Sequence, residues 1–175
     1  MNTFRRSLFL FSMFVFMTLT LFCKERLTTV ERVNLNFYAG TWYEIALFPN
    51  RFEKGCSCTS AEYSLTGKGY VTVTNRCMRG GEQTSITGKA FVVKNSGNAK
   101  LKVQFFWPFR GDYWILGLAN DYSWALVGSP NRKYLWILAR ERVLDEKIYD
   151  SIVQLAREKG FDTSKLVRTM QDCTH

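Results

Sequence analysis

Lys100-Leu101-Lys102-Val103-Gln104-Phe105 alternates polar and apolar side chains without a break. A period of two puts Leu101, Val103 and Phe105 on one face of an extended chain and Lys100, Lys102 and Gln104 on the other. Tyr70 to Thr74 repeats the pattern, with Val71 and Val73 opposite Thr72 and Thr74. Turn-forming residues bracket these runs at 64–69, 79–81, 95–98, 109–112, 119–121 and 129–132. The runs between them predict eight strands, beginning near Thr41, Thr59, Tyr70, Gln83, Ala99, Tyr113, Trp124 and Tyr134. Consecutive hairpins of this kind predict an all-β fold, an eight-stranded up-and-down antiparallel β-barrel. Eight strands is the size at which such a barrel holds one small ligand.

Beyond the strands the period changes. Asp145 to Lys159 places Ile148, Ile152, Leu155 and Ala156 on one stripe, with Asp145 as the cap and Gly160 just past the end. The strand near Tyr134–Arg140 is apolar on both faces, so its outer face needs cover. The C-terminal α-helix is therefore expected to pack on the outside of the barrel. A short last strand, Lys165–Met170, is expected to add to an edge.

Working toward the N-terminus, Arg5 and Arg6 precede an apolar run from Ser7 to Phe22, followed by Cys23, Lys24 and Glu25. This is the pattern of a secretory signal, and the run is short of the roughly 20 residues a spanning helix needs. Residues 1–22 are read as a signal peptide, 23–33 as a tether and 34–175 as the folded domain. An uncleaved membrane anchor is the alternative. A cysteine directly after the apolar run resembles the lipidated cysteine of bacterial lipoproteins, which makes Cys23 the lipidation candidate. Net charge is +9, and +7 from Cys23 onward once Arg5 and Arg6 are set aside (22 basic minus 15 acidic groups).

Export makes the other cysteines readable. Cys56, Cys58, Cys77 and Cys173 are an even number in an oxidising compartment. Cys56 and Cys58 stand too close to bridge each other with good geometry, so each is expected to pair with Cys77 or Cys173. The single histidine, His175, is the last residue, which removes histidine triads and histidine zinc clusters. No metal or cofactor is implied. Apolar residues at 46% and only three prolines exclude a disordered chain.

Three segments carry a family resemblance: Gly40-Thr41-Trp42-Tyr43 opening the first strand, Asn120-Asp121-Tyr122 before the seventh, and Trp136-Ile137-Leu138-Ala139-Arg140 ending the eighth. With Arg51–Gly55, Asp112–Leu116 and Gly160–Asp162 they resemble the lipocalins, closest to the bacterial outer-membrane lipoproteins and their animal relative apolipoprotein D. The physics of the signature is legible alone. By parity Trp42 and Arg140 both point inward, and a guanidinium over an indole closes one end with a stack worth up to about 2 kcal/mol.

Inward parity selects Leu101, Val103, Phe105 and Trp107 in the fifth strand, Trp114 and Leu116 in the sixth, and Trp136 and Leu138 in the eighth. In the second and third strands it selects Ala61, Tyr63, Val71, Val73 and Asn75. The resemblance implies that Tyr63, Asn75, Arg79, Phe105, Trp114, Trp136 and Leu138 face a ligand. It also implies a Cys58–Cys173 bridge, leaving Cys56 and Cys77 as a second pair. A function follows from the resemblance: an exported protein that stores or carries fatty acids or lysophospholipids for membrane maintenance or repair. It would be lipid-anchored at the outer membrane, with a periplasmic form or an uncleaved anchor as alternatives; a homodimer is compatible with the reading. Arg79 is placed to meet a carboxylate or phosphate. The competing class is a thiol-dependent enzyme in the same barrel, for which Cys77 is the candidate nucleophile. A nucleic-acid binder is disfavoured by export and by the lack of a clustered basic stripe.

Overall fold

The computed structural model describes residues 26–173, so the signal segment and Cys23 lie outside the described residues. Eight long strands follow in chain order: β1 Gly40–Leu47, β2 Cys56–Leu65, β3 Val71–Arg79, β4 Glu82–Val92, β5 Lys100–Gln104, β6 Gly111–Leu118, β7 Trp124–Gly128 and β8 Leu135–Ala139. Each pairs antiparallel with the next. β8 pairs with β1 and β1 with β2, which closes the barrel as expected.

Two α-helices, a 3-10 turn at Thr163–Lys165 and a ninth strand complete the fold. Helix α1, Leu35–Tyr38, is capped by the Asn34 side chain and lies across one end of the barrel. Helix α2, Glu146–Glu158, starts where Asp145 accepts from the amides of Lys147 and Ile148. The C-terminal strand β9, Val167–Arg168, pairs with the second half of β1. It belongs there because β1 and β2 separate after Tyr43, where β2 carries a bulge between Ser57 and Ser60. The tail fills this gap: Cys58 donates to the Met170 carbonyl, and the Gln171 amide donates to the carbonyls of Glu44 and Thr59.

Two apolar clusters share the barrel wall. The inner one holds Trp42, Tyr63, Val73, Leu101, Ile115, Val127 and Leu138. The outer one holds Leu116, Leu126, Leu135 and Ile137 of the wall under Ile152 and Ala156 of α2. At Gly117 an added Cβ would meet Leu155 Cδ2 at 2.6 Å, so this glycine sets how closely α2 approaches. Ile152 and Ala156 of the predicted helical stripe are buried, while Ile148 at its start is exposed.

One parity expectation is overturned. Trp114 and Leu116 lie on the outer face, and Tyr113 and Ile115 face inward. Register decides it: Leu101, which points inward, sits opposite Tyr113, while Lys100 sits opposite Trp114 and stacks on its ring at 4.2 Å. Both alternating sets in β6 are apolar, because one faces the lumen and the other faces α2, so periodicity alone does not say which is which. Trp107 also leaves the expected wall. β5 ends at Gln104, and Trp107 stands in the following loop almost fully exposed.

Candidate functional site

Strand direction defines two ends. β1, β3, β5 and β7 start at the end covered by α1 and run to the end carrying the loops 48–55, 80–81, 105–110 and 129–134. The first is the closed end. Gly40 begins β1 there with φ +92°, a conformation that favours glycine. The Arg140 guanidinium lies 3.8 Å from the Trp42 ring centroid. It donates to the carbonyls of Thr41 (2.7 Å), Phe37 (2.6 Å), Ala39 (3.0 Å) and Tyr122 (3.3 Å). Trp42 is fully buried and donates from its indole nitrogen to the Tyr38 carbonyl at 2.8 Å. The expected closing stack is present, and the backbone carbonyls it satisfies make it structural.

Above this plug three phenols meet. The Tyr63 hydroxyl donates to that of Tyr113 at 2.8 Å, and the hydroxyls of Tyr38 and Tyr113 are 2.7 Å apart. Burial pushes all three phenols well above their ordinary value, so they stay neutral. This trio forms the floor of the lumen. Tyr63, expected to meet ligand, is part of it; Tyr38 and Tyr113 were not picked out by the sequence. The signal for Tyr113 is present but ambiguous because of the β6 parity, and Tyr38 becomes visible only once α1 is recognised as a cap.

The upper lumen differs. Val103, Phe105 and Trp136 belong to the inner face yet remain only half-buried, and Asn75, which follows Val71 and Val73 by alternation, does too. Leu138 lies lower and is buried. The Phe105 ring rests on Gly88, where an added Cβ would meet Phe105 Cδ1 at 2.7 Å and the Gln104 carbonyl at 2.6 Å. Gly88 therefore lets Phe105 lie flat on the wall; the sequence reading passed over it.

Two acids share this upper region. Glu44 follows Trp42 on the inner side of β1 and is buried, accepting a hydrogen bond from the Thr169 hydroxyl at 2.5 Å. Glu53 reaches in from loop 48–55 and accepts from the Trp136 indole at 3.1 Å; its other oxygen is buried, with the Glu44 carboxyl beside it. Burial, reinforced by Glu53 beside it, pushes the Glu44 carboxyl up to about 9. Glu44 therefore carries a proton at neutral pH. Glu53 ties loop 48–55 partly across the mouth. Arg79 stands at the rim, where it donates to the Phe52 carbonyl (2.9 Å) and to Cys56 Sγ (3.2 Å) of the same region.

Two disulfides brace this end: Cys58–Cys173 (Cα–Cα 6.2 Å) and Cys56–Cys77 (Cα–Cα 5.5 Å). Cys77 is thus no free thiol, and a thiol-dependent mechanism loses its nucleophile. Two clefts of the described surface lie outside the barrel. One runs between α2 and residues 161–164, and one lies beside β9 and residues 142–146. Of the residues expected to line a cavity, the structure brings Tyr63, Asn75, Val103, Phe105, Trp136 and Leu138 to the interior and Arg79 to its rim. It leaves Trp107 on the exposed loop and Trp114 on the outer wall.

Comparison with known proteins agrees with this architecture. The family model for a lipocalin-like domain matches residues 33–171. The chain is 41% identical over 160 residues to temperature-induced lipocalin-1 of Arabidopsis thaliana, covering 86% of each chain. It is 37% identical over 169 residues to the outer membrane lipoprotein Blc of Vibrio cholerae, covering 95% of this chain and 99% of that one. Apolipoprotein D of Macaca fascicularis is 38% identical over 152 residues, covering 81% of this chain and 79% of its own. Among solved structures, lobster apocrustacyanin A1 superposes with a TM-score of 0.66 at 25% identity, covering 80% of this chain and 81% of that one. A closed eight-stranded barrel with one packed helix, sealed by a Trp–Arg stack and matched along nearly its whole described length, places the chain in the lipocalin family.

Proposed function

We propose that this lipocalin is an exported binding protein that holds the acyl tail of a fatty acid or lysophospholipid in its upper lumen, above the tyrosine floor. The observation that carries the reading is the set of inward but half-buried side chains, Asn75, Val103, Phe105 and Trp136, over a sealed lower barrel. Apolar walls with a few polar groups suit an amphiphile. Each acyl methylene taken from water contributes about 0.8 kcal/mol, so a long chain offers on the order of 10 kcal/mol before ordering costs. A tail of that length needs loop 48–55 to swing back, which breaks the single Glu53–Trp136 hydrogen bond. The headgroup then stays at the rim, where Arg79 exchanges the Phe52 carbonyl for a carboxylate or phosphate.

Attachment to the outer membrane through a lipidated Cys23, and a part in membrane maintenance or repair, complete the proposal. Its support is the secretory pattern of residues 1–22 and a relative described as an outer membrane lipoprotein. Extraction of the purified protein followed by mass spectrometry tests the ligand class. Co-purifying fatty acid or lysophospholipid is expected. An extract free of lipid, together with no displacement of a fluorescent fatty acid, overturns the reading.

A further inference from the structure

The loop that replaces the expected end of β5 reads Phe105-Phe106-Trp107-Pro108-Phe109-Arg110. Phe106, Trp107 and Phe109 are 64%, 86% and 76% exposed, and at the same end of the barrel Phe52 of loop 48–55 is 58% exposed. Single exposed apolar residues are ordinary, but a run of three large aromatics at the tip of one loop is not. The fold does not use these rings, since none belongs to either apolar cluster.

The charges around them have one dominant sign. Arg51, Lys54 and Arg79 are exposed on this rim, and Lys133 follows in loop 129–134. Of the acids nearby, Glu53 turns into the lumen toward Trp136, and Asp112 is paired with Lys102 at 2.7 Å. Glu82, and Asp172 beside the Cys58–Cys173 bridge, are the exposed acids that remain, against Arg51, Lys54, Arg79, Arg110 and Lys133. Convex aromatic loops set among cations match the headgroup zone of an anionic bilayer, where Trp and Phe rings bury at the interface while Lys and Arg meet lipid charge.

The path of the chain points the same way. Val33 bonds to Gly97 at the closed end, Val30 to Ile115 midway along the wall, and Thr28 to Lys159, whose carbonyl accepts from Arg132 in loop 129–134. The described chain thus approaches the open end as it is followed back to Arg26. Attachment of the chain to a membrane immediately before Arg26 would bring this rim toward the lipid.

We infer that the open rim docks mouth-down on an anionic phospholipid bilayer, with Phe106, Trp107 and Phe109 entering the interface and Arg51, Lys54 and Arg79 on the lipid headgroups. This inference does not depend on what the lumen holds. The test uses the full-length chain with vesicles of brominated phosphatidylcholine, alone or mixed with brominated phosphatidylglycerol. Trp107→Phe reports the contribution of that ring to tryptophan quenching. The triple variant F106D/W107D/F109D removes the apolar tip while keeping the same N-terminal segment.

Quenching should be stronger with phosphatidylglycerol present, and its largest single component should vanish in Trp107→Phe. The triple variant should bind such vesicles at least about ten-fold more weakly, given what burying even one aromatic ring contributes. Its displacement of a fluorescent fatty acid in vesicle-free solution should be unchanged, which shows that the barrel is folded. Equal vesicle binding by the triple variant, or undiminished quenching in Trp107→Phe, overturns the inference. So does a wild-type dimer that the triple variant converts to monomer, because the rim would then be a surface for a second copy. Failure of fatty-acid displacement with vesicle docking intact removes the lumen ligand and leaves the rim proposal standing.

Discussion

The two ends of the barrel are built from the same strands but held by different means. At the closed end the interior is filled: Trp42 is fully buried, Arg140 satisfies four backbone carbonyls, and α1 lays Tyr38 over the top. Packing and hydrogen bonds hold that end, where the Arg140 guanidinium and the Trp42 indole nitrogen find backbone carbonyls. At the open end the inner wall is half-buried, β1 and β2 part, and the Glu44 and Glu53 carboxyl groups crowd together. Both disulfides lie at that end. Where side-chain packing is looser, covalent ties take its place.

This contrast sets an order of expected effects. Replacing Cys58 and Cys173 together by alanine opens a loop of 115 residues and should cost about 4 kcal/mol in chemical denaturation. A loss below about 1 kcal/mol would show that the open end is held by its packing after all. Arg140→Ala at the opposite end removes the stack and its hydrogen bonds, and should cost about 3 kcal/mol with fatty-acid affinity unchanged in the folded protein. If affinity fell with stability, the two ends would not be independent.

Gly88→Ala sharpens the account of the upper lumen. Its Cβ would overlap Phe105 and the Gln104 carbonyl, so stability should drop by about 1–3 kcal/mol. Phe105 should move into the lumen and weaken ligand binding, read by titration with a fluorescent fatty acid; unchanged affinity would remove Phe105 from the binding wall.

Glu44→Gln separates the ends by pH. Unfolded, Glu44 ionises near 4.5, and in the folded protein near about 9. The folded chain therefore holds the extra proton between these values. Its contribution is fully present below pH 4.5 and is lost as pH rises toward 9. The glutamine variant should be more stable than the parent at pH 8, with a flatter melting-temperature profile from pH 5 to 9; parallel profiles would show that Glu44 is not the titrating group. The smallest effect belongs to Trp114→Ala. That ring stacks with Lys100 outside the barrel, so about 1 kcal/mol of stability and none of the ligand affinity should be lost.

Much of this architecture is written locally. The number and order of the strands, the Asp145 cap and the inward face of β5 follow from period and turn chemistry, because β5 has one dry face and one wet one. β6 escaped because Tyr113 and Ile115 face the lumen while Trp114 and Leu116 face helix or solvent, and both sets are apolar. Only pairing with β5 distinguishes them, and pairing is not a local property. Trp107 escaped because alternation continues in sequence after the ladder has stopped at Gln104. Glu44 and Glu53 read as ordinary surface acids in a row of letters. Their burial depends on a loop folding back over the mouth.

The claim on which the function rests is that the upper barrel admits an acyl chain beside Trp136. Titration with a nitroxide-labelled fatty acid measures this directly, comparing the parent protein with Trp136→Phe. Saturable quenching at one ligand per chain, reversed by unlabelled fatty acid and markedly reduced in Trp136→Phe, is the predicted result. Quenching that never saturates, or that is the same in both proteins, would contradict it.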